Sequence, residues 1–179
     1  MRSTPVCRTS VRSPAAIRIG AGLLALGLLA GSPAAAGPTD ILKVDEFIDA
    51  PRAMFGRTRQ QIERTLGPPA TAEVRPVRNP DDPRQDETLH ELAYPGVVVR
   101  VLESLGLLRV RLTEARYRLP YGLNVGTPRG RVEDVLGEAQ AISDRRAMYL
   151  YSDGFPRTVE FYFRDGRVDR IDWNYRATD

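Results

Sequence analysis

The sequence is poor in cysteine, histidine and lysine. Its one cysteine is Cys7, its one histidine is His90, and Lys43 is the only lysine among 26 basic residues. Downstream of residue 36 there is no cysteine, so no disulfide, thiolate nucleophile or cysteine metal site can form there. A single imidazole without thiols would leave zinc a set made almost wholly of carboxylates, which is unusual for that ion. Nucleophile signatures are missing too: Ser104, Ser143 and Ser152 sit in turn-like contexts without a G-x-S-x-G elbow. Asp81-Asp82 and Asp86-Glu87 lack EF-hand spacing and its loop glycine. Paired carboxylates meet in space rather than in sequence, so a carboxylate-dependent hydrolase stays open as an alternative. No cofactor and no metal are expected.

Long apolar runs are also lacking. The longest, residues 19–31, is shorter than the roughly 20 apolar residues a membrane helix needs. It follows an acid-free stretch holding Arg2, Arg8, Arg12 and Arg18, and it precedes Ala34-Ala35-Ala36. Positive flank, short apolar core and small residues at an A-x-A site are a secretory signal, with cleavage expected after Ala36. The expected compartment is the periplasm, or outside the cell. No cysteine waits at the cleavage site, so no lipid anchor is expected.

That segment also carries the positive balance. The whole chain is +3, with 26 basic and 23 acidic residues. Four of the arginines and none of the acids lie in residues 1–36, so the remainder is 22 − 23 = −1. The basic excess is therefore no argument for nucleic acid as a partner. Fourteen prolines and fifteen glycines argue against an all-helical bundle.

What is present is an internal match. Gly56-Arg-Thr-Arg-Gln-Gln-Ile-Glu-Arg-Thr-Leu-Gly67 aligns with Gly126-Thr-Pro-Arg-Gly-Arg-Val-Glu-Asp-Val-Leu-Gly137. Each reads as a short capped helix. Thr58 and Gln61 have capping-box spacing, while Thr127 and Pro128 suit N-cap and N1. Ile62, Thr65 and Leu66, like Val132, Val135 and Leu136, form one narrow stripe. Helices this short must dock on a sheet. Residues 75–87, with three prolines, read as an exposed loop. Residues 88–94, 97–103 and 107–117 read as strands of the first half, and 147–151, 158–163 and 168–175 as strands of the second. Residues 40–48 read as a further short helix, and 119–125 as a linker or a turn. The expected fold is α+β: two repeats, 37–118 and 119–179, each a helix followed by a three-stranded antiparallel meander.

The repeated helix followed by a meander ending in Asp165-Gly166-Arg167-Val168 resembles the SmpA/OmlA outer-membrane assembly lipoprotein domain. A tandem pair is similar to the fold of β-lactamase inhibitor proteins. The resemblance covers about residues 40–175. It implies an exported, non-enzymatic module that binds another envelope or secreted protein through its sheet and loops. No contact residue is carried over from those families by motif, and the lipobox cysteine is absent here.

The residues themselves nominate a surface. Alternation turns Arg100, Arg109 and Arg111 outward in the first half, and Tyr162, Arg170 and Asp172 outward in the second, with Tyr149 or Tyr151 nearby. Arginine and tyrosine are the types that anchor protein interfaces. The expected protein-binding set is therefore Arg100, Arg109, Arg111, Tyr149, Tyr151, Tyr162 and Arg170. His90 reads as a strand-surface residue. A third reading is a groove between the halves that holds an envelope ligand such as a peptidoglycan fragment or a lipid.

Overall fold

A computed structural model describes residues 37–79, 81–154 and 156–176. The expected signal segment, 1–36, lies outside the described residues.

Helix α1 runs from Ile41–Phe55, capped by the Asp40 carboxylate on the Lys43 amide. It buries Val44, Phe47, Ile48, Pro51 and Phe55, the spacing of one helical face. Residues 40–48 are thus the first half of a longer helix that continues through Pro51. Helix α2, Arg59–Leu66, has the expected capping box between Thr58 and Gln61 and buries Ile62. Helix α3, Arg129–Leu136, buries Val132, Val135 and Leu136. Its N-cap is Pro128 rather than Thr127, whose hydroxyl instead accepts from the Asn124 amide. Both short helices end on glycines with positive φ, Gly67 at 82° and Gly137 at 78°.

The strands are β1 (Thr71–Arg78), β2 (Asp86–Tyr94), β3 (Val97–Leu102), β4 (Gly106–Leu112), β5 (Ala141–Ser143), β6 (Arg146–Leu150), β7 (Thr158–Arg164) and β8 (Arg167–Asn174). They form one antiparallel sheet in the order β1-β2-β3-β4-β8-β7-β6-β5. This corrects the expectation of two helix-plus-three-stranded repeats. Four strands follow each short helix, and all eight belong to a single sheet joined where β4 pairs with β8. The two unexpected strands are the edges. β1 runs into the stretch read as a loop, overlapping it at 75–78, and is exposed along almost its whole length; an edge strand tolerates its Pro76, because outward-facing amides need no ladder partner. β5 has only three residues, too few to alternate visibly.

The three helices pack on one face of the sheet. Between them lies the main core, with Val99, Val110, Phe161, Ile171 and Trp173 from the strands. Phe47 of α1 stacks on Phe161 and Trp173, with ring centroids 5.4 and 5.6 Å away. One core cluster thus spans both halves of the sheet.

Candidate protein-binding face

Strand alternation sends every second side chain to the face away from the helices. Val97, Val99 and Val101 point into the core, so Arg100 points out; Val110 and Leu112 point in, so Arg111 points out. Two β-bulges adjust the pattern. In the β3–β4 pair Arg100 faces Arg109 while Val101 faces Leu107, which leaves Leu108 as the extra residue. In the β7–β8 pair Tyr162 faces Arg170 while Phe163 faces Val168, which leaves Asp169 as the extra residue. Each bulge falls just past its hairpin turn, and each is followed at once by an outward arginine, Arg109 or Arg170. Bulges re-aim side chains in this way.

Both arginines converge on Asp172, at the centre of the sheet. Asp172 is fully buried although no helix covers its face. Arg109 Nη2 donates to its Oδ2 at 2.6 Å. Arg111 binds it with two prongs, Nε to Oδ1 at 3.1 Å and Nη2 to Oδ2 at 3.2 Å. Arg170 Nε lies 3.3 Å from Oδ1 as an ion pair. The carboxylate in turn raises the Arg111 guanidinium above its ordinary value, chiefly through these hydrogen bonds. The three arginine side chains remain partly exposed, between 23% and 38%.

A second layer surrounds this centre. Arg170 sits over the Tyr162 ring, 3.7 Å from its centroid. Burial, followed by the hydrogen bond to Glu160, raises the Tyr162 hydroxyl above its usual value. That hydroxyl donates to Glu160 Oε2 at 2.7 Å, and Asn174 donates to Glu160 Oε1 at 3.2 Å. Arg146 pairs with Glu160 at 3.4 Å, and Arg100 with Glu91 at 2.5 Å.

Of the seven residues nominated from sequence, the structure gathers Arg100, Arg109, Arg111, Tyr162 and Arg170 on this face. It puts the other two elsewhere. Tyr149 is fully buried on the helix side, with its hydroxyl on the Gly137 carbonyl at 3.0 Å. Tyr151 also faces the helices, donating to Asp49 of α1 at 3.2 Å, with Arg157 stacked over its ring. The reason is phase: β6 carries Ala147 and Tyr149 into the core, so the tyrosines fall on the inner set. Glu160 and Asn174 went unremarked in the sequence, although alternation with Val159, Phe161 and Trp173 places them outward.

His90 is buried, not on the surface. It lies on the helix side of β2, where Arg59 of α2 approaches its Nδ1 at 3.2 Å and Glu103 its Nε2 at 3.8 Å. Ser104 donates instead to Glu87, so serine and histidine have different carboxylates and form no relay. Among the described residues no group of three or more His, Cys, Asp or Glu side chains lies close enough to hold a metal ion. One cavity of about 440 Å³ opens between α1 and the 3-10 turn Pro120–Gly122, lined by Glu46, Asp49, Met54, Arg118 and Leu119 among others. Its two carboxylates are already engaged. Tyr121 donates to Glu46, which pushes its hydroxyl up to about 12, and Tyr151 and Arg52 hold Asp49.

No family model matches the chain, and no curated protein matches it. Among solved structures it is similar to the uncharacterized protein yfeY from Escherichia coli, at 13% identity over 79% of this chain and 98% of that one, with a TM-score of 0.40.

Proposed function

We propose that the chain is an exported, non-enzymatic module that binds another envelope or secreted protein through the open face of its sheet. The observation that carries this reading is the arginine cluster on Asp172. Arginine stacks, forks and loses little freedom when its plane is already fixed. Here a buried carboxylate fixes three such planes on a rigid sheet, which lowers the ordering cost of binding. Tyr162 adds an aromatic surface beside them.

The test is capture from periplasmic extract on the immobilised protein, followed by calorimetry with the captured partner. Arg100→Ala with Tyr162→Ala strips the face while leaving Arg109, Arg111 and Arg170 on Asp172. It should weaken binding about tenfold or more, roughly 1.4 kcal/mol. Unchanged affinity in that variant removes the face from the reading. Intact mass of the periplasmic protein tests export: cleavage after Ala36 leaves Gly37 first.

The cavity beside α1 favours a second reading, a small-ligand or hydrolytic site using Glu46 and Asp49. Loss of a hydrolytic or ligand-binding signal in Glu46→Gln, with the strand face intact, would select it.

A further inference from the structure

We infer that the arginine face docks an extended acidic segment of a partner protein, its carboxylates meeting the guanidinium groups of Arg109, Arg111 and Arg170. This rests on the binding-face reading above and adds the chemistry of the partner.

Charge is the first argument. Three guanidinium groups surround one carboxylate, so the centre of the face keeps an unbalanced positive charge. The flanking pairs Arg100–Glu91 and Arg146–Glu160 cancel within themselves. The chain after residue 36 carries a net −1, so this positive centre is local and is no echo of overall charge.

The second argument is incomplete satisfaction. The Nε of Arg109 is buried without a hydrogen-bond acceptor, and the Nε of Arg170 meets Asp172 Oδ1 at 3.3 Å as an ion pair without hydrogen-bond geometry. Asp172 therefore does not saturate the donors gathered around it. Buried polar groups are ordinarily paired, and each exception calls for an explanation.

The third argument separates a protein from a lipid surface. A membrane-docking face combines cations with exposed apolar side chains that enter the acyl boundary. Among the described residues the exposed large apolar side chains are Ile41, Leu42, Val74 and Ile142. The first two belong to α1. Val74 faces His90 and Ile142 faces Ala147 across their strand pairs, so both lie on the helix side. The arginine face carries none of them. An extended segment fits it better, because alternate residues of a strand-like peptide project to one side.

The probe is a synthetic peptide of alternating Glu and Gly, compared with its Gln and Gly counterpart, titrated into the purified protein by calorimetry. The Glu peptide should bind about tenfold more tightly than the Gln peptide, and the difference should shrink between about 20 mM and about 0.5 M salt as charges are screened. Arg111→Gln should remove most of the difference, whereas Arg131→Gln on the exposed side of α3 removes the same charge and should leave it unchanged. If Arg111→Gln fails to fold, Arg100→Gln at the rim of the same face should weaken the Glu peptide instead. Equal binding of the two peptides overturns the inference, as does equal loss in Arg131→Gln. Binding to phosphatidylglycerol vesicles with a silent peptide overturns it in favour of a membrane. If the peptide is silent while Arg100→Ala with Tyr162→Ala still abolishes partner capture, acidity alone fails and the face stands. If capture also survives those changes, the face itself fails.

Discussion

Trp173 donates its indole N–H to the carbonyl oxygen of Phe47 at 3.0 Å, and that carbonyl is the one Pro51 leaves without its helical donor. Proline has no N–H, so residue 51 cannot close the bond back to residue 47. At the next residue of the helix, the Tyr175 hydroxyl donates to the Ile48 carbonyl at 2.8 Å. A local defect in α1 is thereby converted into the contact that fastens the helix to β8. Arg52, stacked 4.1 Å from the Tyr175 ring centroid, closes the same seam.

Coupling between Pro51 and Trp173 follows. Trp173→Phe keeps an aromatic ring in the core but strands a buried carbonyl, a loss of about 1–3 kcal/mol. In a Pro51→Ala background the restored amide can satisfy Phe47, and the second loss should be smaller by at least about 0.5 kcal/mol. Urea melts of the four proteins measure the cycle. Equal cost in both backgrounds would show that the bond is geometric coincidence.

The matched segments are unequal in the folded chain, and two pairs of variants expose this. Leu136 is fully buried, whereas Leu66 only flanks the core. Leu136→Ala should cost about 2–5 kcal/mol and Leu66→Ala clearly less. The terminal glycines differ in the same direction. A Cβ on Gly137 would stand 2.2 Å from the Pro38 carbonyl oxygen, while one on Gly67 meets nothing within 4 Å. Gly137→Ala should therefore unfold at much lower urea than Gly67→Ala, which bears only the strain of its positive φ.

The central strands were legible for two reasons: β7 and β8 alternate core residues with polar ones or Tyr162, while β3 is a β-branched run between turns, with Val98 and Leu102 on the Arg100 side. The outward arginines were readable from alternation. The edges were not. β1 holds Pro76 and exposes nearly every side chain, so it lacks the burial that writes a pattern into sequence. Missing both edges turned four-stranded meanders into three-stranded ones and hid their union in one sheet. The phase of β6 was equally hidden, since tyrosine suits either face. Asp172 was read as outward, yet its complete burial depends on two bulges and three arginines from two strands, which no local pattern records.

Stability should fall in acid through Glu87. Burial pushes its carboxyl up, but hydrogen bonds from the Ser104 hydroxyl and the Thr88 and Ser104 amides outweigh that and leave it below its ordinary 4.5. A carboxylate whose folded value is depressed contributes stability above the unfolded value and loses it as pH falls through the folded value. Below pH 4.5 the wild type should thus lose stability more steeply than Glu87→Gln, which is weaker near neutrality but flatter in acid. Thermal melts from neutral pH downward compare the slopes. Parallel curves would remove Glu87 from the acid limb.

Asp172 should matter to folding more than any arginine that touches it. Asp172→Asn keeps the shape but leaves three guanidinium groups repelling one another over a buried neutral amide. Breaking a buried ion pair from one side costs about 3–5 kcal/mol. Arg170→Gln leaves two arginines on the carboxylate and should cost less. In the Asp172→Asn background the same change relieves repulsion and should restore part of the loss, a coupling of opposite sign to the wild-type pair. Arg109→Ala with Arg111→Ala, which looks harmless on an outward strand face, should be destabilising because it removes every hydrogen bond those two side chains give to Asp172. Urea melts of these variants at low and high salt decide the order. If Asp172→Asn is neutral, the carboxylate does not organise the cluster, and the three guanidinium planes are held by the sheet alone.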